Sequence, residues 1–144
     1  MSAVTTALAG ILADTYALAV KTHAAHWNVT GTGFFELHEA FGSQYEALLE
    51  AADDVAERLR ALGATAPLGL KALAKAAEVA DLKDTDGKAL VTQLASDHAA
   101  LSKALSKAVA VAQKAGDEAT ADLCIGRIEA HDKTAWMLKA WAGK

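Results

Sequence analysis

Cysteine and proline each occur once in the 144 residues, and aromatic side chains make up only 6% of them. The lone Cys124 excludes a disulfide framework within the chain and fits a small apolar residue on a buried helix face. Pro67 is the only proline, so long helices can run unbroken on either side of it. β-branched and aromatic residues are too few to favour sheet. Positive charge is also scarce: 14 Lys and Arg against 18 Asp and Glu leave a formal charge of −4 and a pI near 5.7, which gives nucleic acid no general attraction. No unbroken apolar run approaches the roughly eighteen residues of a membrane span. The first stretch carries Asp14 and has no Lys or Arg before Lys21, unlike a secretory signal. The expectation is a single cytoplasmic domain over residues 1–144, with no membrane partner.

What is abundant is hydrophobic residue, 53% of the chain and largely alanine, the best helix former. Leu8, Ile11, Leu12, Thr15, Leu18 and Ala19 recur at helical intervals and predict a first helix over residues 5–28, closed by Asn28 and the Gly31, Gly33 pair. A second runs over 35–62 and stops at Gly63, with Pro67 beyond it. A short helix over 70–79 follows, with Lys71 and Lys75 facing water. DLKDTDG reads as a loop whose aspartates can cap a third long helix over 87–114. Gly116 breaks that run, and GDEATADL opens a fourth long helix reaching Trp141. The class is all-α, four long helices in two antiparallel pairs plus one short helix. His98 falls within the apolar series Leu90, Leu94, Leu101, Leu105 and reads as a hydrogen-bonded core histidine. Lys103 and Lys107 read as solvated surface.

Metal-competent side chains gather between Lys21 and Gly63. Asp53 and Glu57 are four apart, so on a helix they point the same way and can share one cation. His38 lies fifteen residues before Asp53, roughly 22 Å away along a continuous helix, too far for one ion to bridge. A second copy, antiparallel across a two-fold axis, would bring its His26 and His38 opposite Asp53 and Glu57 and create two equivalent sites. The plainer reading is an ordinary surface helix, because Glu39, Glu46, Glu50, Asp53 and Glu57 form one stripe opposite Leu37, Phe41, Leu48, Val55, Leu59 and Leu62. Imidazole with carboxylate suits ferrous iron, zinc, manganese or cobalt. None of the eight glutamates is followed three residues later by histidine, which argues against a di-iron centre inside one bundle.

The run HWNVTG, then FxxLHE, then DxxAERxxxLG, at these spacings over some forty residues, resembles the signature of the Dps family, the mini-ferritins. The resemblance implies a ferritin-like four-helix bundle with a short extra helix between helices 2 and 3. It also implies an inter-subunit ferroxidase centre at His26, His38, Asp53 and Glu57, with Trp27 beside it and His23 outside the required set. Twelve copies would form a hollow shell in which peroxide oxidises ferrous iron and ferric mineral collects, protecting against oxidative damage. Asp117, Glu118 and Asp122 would line pores that admit iron, although Asp117 and Glu118 equally suit helix capping. Trp136 and Met137 are expected mainly to pack. Gly42 departs from the family, which has an acidic ligand four residues after the second histidine; Glu39 or Glu46 are the nearest replacements. Two other readings remain, a DNA-compacting nucleoid protein and an assembly-only bundle with a lapsed metal site. MSAVTTAL carries no cation and only Lys144 follows Gly143, so no DNA-binding residue is identified and direct binding is expected to be weak.

Overall fold

A computed structural model describes residues 1–144. Its five helices are α1 (Ala3–Asn28), α2 (Phe34–Ala61), α3 (Leu70–Ala76), α4 (Gly87–Lys114) and α5 (Glu118–Trp141), which is the all-α, ferritin-like bundle expected, with the short helix between α2 and α4. α1 packs along α2 and α4 along α5, while α1 and α4 face each other across the core.

The apolar length of α1 dictates this arrangement. Its most apolar eighteen residues have a mean hydropathy of 1.5, enough to cross a bilayer by length and composition, contrary to the expectation that no stretch would qualify. The expectation failed because the isolated polar residues were read as interruptions, and the structure instead satisfies them in place. Thr15 and Thr22 donate to the carbonyls of Ile11 and Leu18, each at 2.7 Å, so neither hydroxyl is left unpaired in the core. Lys21 forms an ion pair with Asp97 of α4 at 2.8 Å. Asp14 Oδ1 accepts from the backbone N–H groups of Glu78 and Val79 at 2.6 and 3.3 Å. That last contact strips α3 of its expected final turn: residues 77–79 leave the helix, Ala77 becoming extended, and strap the connection onto α1.

Helix ends follow the capping chemistry. Ser2, Asp86 and Asp117 accept from the N–H groups of Thr5, Ala89 and Thr120 at 3.1, 3.1 and 3.0 Å, satisfying donors that a helix start leaves free. Gly33 caps α2 at φ 84°, and a Cβ there would lie 2.5 Å from Trp141 Cζ2; both the dihedral and the indole demand glycine. Cys124 and His98 are buried, as expected. Trp136 and Met137 are not: both are more than half exposed, since they lie on the face of α5 that no other helix of the same chain covers.

The core also contains a second buried histidine, His131 of α5. Its Nδ1 lies 2.8 Å from Nδ1 of His98, and its Nε2 lies 3.2 Å from Arg127 Nη2. A guanidinium only donates, so His131 Nε2 accepts, its proton sits on Nδ1, and that proton is donated to His98 Nδ1. The proton of His98 is then on Nε2. Burial, reinforced by Arg127, depresses His98 from 6.5 to about 4; burial, then His98 and Arg127, depresses His131 from 6.5 to about 3. The unfolded chain therefore binds more protons than the fold between those values and pH 6.5, and stability present above pH 6.5 is lost as the pH falls toward 4. At ~1.4 kcal/mol per tenfold change in proton affinity the pair contributes on the order of several kcal/mol. Melting temperature should drop between pH 6.5 and pH 4, and the drop should flatten in the double variant His98→Gln, His131→Gln. An equally steep drop in that variant would place the acid sensitivity elsewhere.

Candidate metal centre

His26 occupies the last turn of α1 and His38 the second turn of α2, on either side of a tight reversal. Gly31 and Gly33 turn the chain at φ 92° and 84°. The reversal is pinned to the start of α4, with Thr30 N–H donating to the Thr85 carbonyl at 2.9 Å and Gly87 N–H donating to the Thr30 carbonyl at 3.2 Å. Two half-buried imidazoles thus meet across the antiparallel helix ends, stacked with centroids 3.8 Å apart and planes 16° apart.

Each ring bonds to the other's backbone. His26 Nδ1 lies 2.6 Å from the His38 carbonyl, and His38 Nδ1 lies 2.7 Å from the His26 carbonyl. A carbonyl only accepts, so both Nδ1 atoms carry protons, and in the neutral rings each Nε2 keeps its lone pair. This is how a metal-binding histidine is commonly oriented, with one nitrogen tethered and the other free to ligate.

Gly42, one helical turn beyond His38, faces the His26 ring. A Cβ at this position would stand 3.1 Å from His26 Cε1 and 3.2 Å from its Nδ1. The missing side chain therefore does more than remove a ligand: it leaves the space against which the His26 ring lies. Around this pair, His23 stacks on Tyr45 at 3.9 Å and tilts against Trp27 at 4.1 Å. Trp27, 64% exposed, reaches the pair through His23. Tyr45 escaped notice in the sequence, although its place two turns after His38 puts it on the same helix face; its ring lies 5.7 Å from that of His26.

Asp53 and Glu57 are exposed, one turn apart farther along α2. The chain's two ion pairs, Lys21–Asp97 and Arg58–Asp117, use neither. No three His, Cys, Asp or Glu side chains converge within one chain; histidine pair and carboxylate pair are separate halves. Glu39 and Glu46 are exposed and join neither half.

The acidic start of α5 divides in two. Asp117 is committed to structure: it caps the helix and accepts from Arg58 Nη2 at 2.8 Å. Its carboxyl is held below the usual range chiefly by the Thr120 hydroxyl, with the Thr120 N–H and Arg58 adding to the effect. Glu118 and Asp122 are exposed.

A ferritin-like domain family matches residues 5–144 of this chain, and relatives and solved structures narrow the class. The chain is 35% identical over 138 residues to the DNA protection during starvation protein of Porphyromonas gingivalis, covering 95% of this chain and 87% of that one. It is 37% identical over 139 residues to an uncharacterised low temperature-induced protein of Nostoc sp., covering 90% and 74%. The crystal structure of the Dps protein from Vibrio cholerae O1, described as a ferritin-like diiron-carboxylate protein, superposes with a TM-score of 0.91 at 32% identity, covering 96% and 87%. The chain belongs to the Dps family.

Replacing Gly42 with alanine should push the His26 ring away and lengthen its 2.6 Å bond to the His38 carbonyl, at a cost of about 1 kcal/mol. A crystal structure and denaturation curve of the variant test this; an unmoved ring at unchanged stability would mean that the site has slack.

Proposed function

We propose that the chain is a ferroxidase and iron store whose metal centres form between two copies, His26 and His38 of one opposite Asp53 and Glu57 of the other. The observation that carries this reading is the reciprocal bonding of His26 and His38, which presents two Nε2 lone pairs while two unpaired carboxylates stand farther along α2. Neither half suffices alone, and a two-fold pairing of copies supplies each with what it lacks. The diiron-carboxylate description of the Vibrio cholerae relative supports iron as the substrate.

The chemistry follows from the donor set. Carboxylate oxygens favour ferric over ferrous iron, and imidazole holds the ferrous ion before oxidation. Two ferrous ions each give one electron to a hydrogen peroxide molecule; the O–O bond breaks and, with two protons, two waters form. Gly42 leaves a ligand position without a protein group, to be filled by water or oxidant. Ferric mineral collects inside a shell, a dodecamer in our reading, with Glu118 and Asp122 lining the pores through which iron passes; Asp117 fixes the pore wall from its cap. Exposed Phe35, Leu68, Leu70, Trp136 and Met137 supply apolar area for such assembly. The work belongs in the cytoplasm, where consuming ferrous iron and peroxide together removes both reagents of hydroxyl-radical chemistry. Protection of DNA, named in the Porphyromonas relative, would here be chemical rather than by coating: at −4 net charge a gel shift should vanish at about 0.15 M salt.

Asp53→Ala should reduce the initial rate of ferrous oxidation by peroxide at least ~10-fold while leaving the size-exclusion profile unchanged. Wild-type kinetics in an assembled variant would remove the carboxylate pair from the centre and favour a lapsed site in an assembly protein.

A further inference from the structure

α2 and α5 touch only sparsely, and where they meet α4 lies a cavity of about 170 Å³ whose polar lining is Ser43, Gln44, His98, Arg127, His131 and Thr134. A water needs only about 10–15 Å³ of such space, so the cavity accommodates a several-atom ligand.

Two of its polar atoms are buried without a partner: His98 Nε2 and Gln44 Oε1. His98 is 2% exposed, and the bonding order Arg127 to His131 to His98 makes its orphan nitrogen a donor. Gln44 Oε1 is an acceptor. Arg127 forms no ion pair: neither of the chain's two includes it, and Asp54, the acidic group that influences it, stays outside ion-pair distance. A half-buried guanidinium thus faces a cavity holding one unused donor and one unused acceptor. A cation is repelled by Arg127 and finds both Nδ1 atoms already engaged with each other. Water would serve the donor and the acceptor but leave the guanidinium without a counter-charge. Sulfate would meet Arg127 and His98 but brings no proton for Gln44 Oε1, so the Gln44 amide would have to turn to accommodate it. An oxoanion that keeps a proton satisfies all three.

We propose that this cavity binds a small protonated oxoanion, hydrogen phosphate or bicarbonate, held by the Arg127 guanidinium and the His98 Nε2–H, with Gln44 Oε1 accepting the anion's own proton. Arginine's fork suits two oxygens of such an anion, and the Ser43 and Thr134 hydroxyls lie at the rim.

The test uses assembled, iron-free protein, so it does not depend on the ferroxidase reading. Melting temperature is followed against phosphate, bicarbonate and sulfate at equal ionic strength. A saturable rise with phosphate or bicarbonate, absent with sulfate, is expected, and which of the two acts at lower concentration identifies the ligand. Arg127→Gln and Gln44→Glu should weaken the effect at least ~10-fold, and Arg127→Lys should retain part of it. An equal response to sulfate, or a full response in Arg127→Gln, would overturn the proposal. Should the variants fail to fold, wild-type crystals soaked separately in arsenate and in bicarbonate decide: an anomalous peak or a planar anion beside Arg127 and His98 supports it, and water alone in the cavity in both soaks refutes it.

Discussion

The structure depends on hiding α1. A 26-residue helix with twelve buried positions spread over more than half of its circumference needs cover from more than one side. α2 covers one side, α4 another, and the α3 connection is strapped over a third by Asp14. Leu8 and Leu18, both fully buried, each contribute roughly 1.5–3 kcal/mol, and few other arrangements of four helices would bury them all. The position of the His26–His38 pair follows from this. Because α2 must run back along α1, the last turn of one helix and the first turns of the next lie side by side, and histidines placed there meet without any element dedicated to holding them.

The chain has two histidine pairs with opposite fates, and the difference lies in what the second ring nitrogen finds. In the His26–His38 pair each Nδ1 donates to a backbone carbonyl, so both Nε2 atoms are turned outward. In the His98–His131 pair the two Nδ1 atoms consume each other, Arg127 occupies one Nε2, and burial drives both rings toward neutrality. The first arrangement is open to a metal, while the second excludes one and organises a polar cavity. Residue type alone distinguishes them poorly; the partner of the tethered nitrogen distinguishes them well.

Helices were legible in the sequence because their signals are local. Alanine content, apolar spacing and the stops at Gly63 and Gly116 placed the long helices within about two residues, and capping by an aspartate of DLKDTDG and by Asp117 was expected from residue type. The premature end of α3 was not legible, since it depends on Asp14, sixty-four residues away from Glu78. Trp136 and Met137 were expected to pack and their own chain leaves them more than half exposed, because apolar type says that a side chain seeks cover, not which chain supplies it. At the candidate metal centre, the separation of His38 from Asp53 was readable from helix rise alone. The steric meaning of Gly42 was not, because sequence shows a missing ligand but not the imidazole resting against it. His131 lay unnoticed in a polar tail segment, as its burial is decided by the way α5 packs on α4.

Cys124 bears on how durable the chain would be under the oxidising chemistry proposed for it. Peroxide attacks thiolate rather than thiol, and the only cysteine here is 1% exposed, with its ionisation made harder first by burial and then by the negative charge of Asp117. The same carboxylate that caps α5 thus helps keep the chain's one thiol protonated. The thioether left open to such an oxidant is that of Met1, 85% exposed, whose sulfoxide is reversible, so oxidation there would be of the repairable kind.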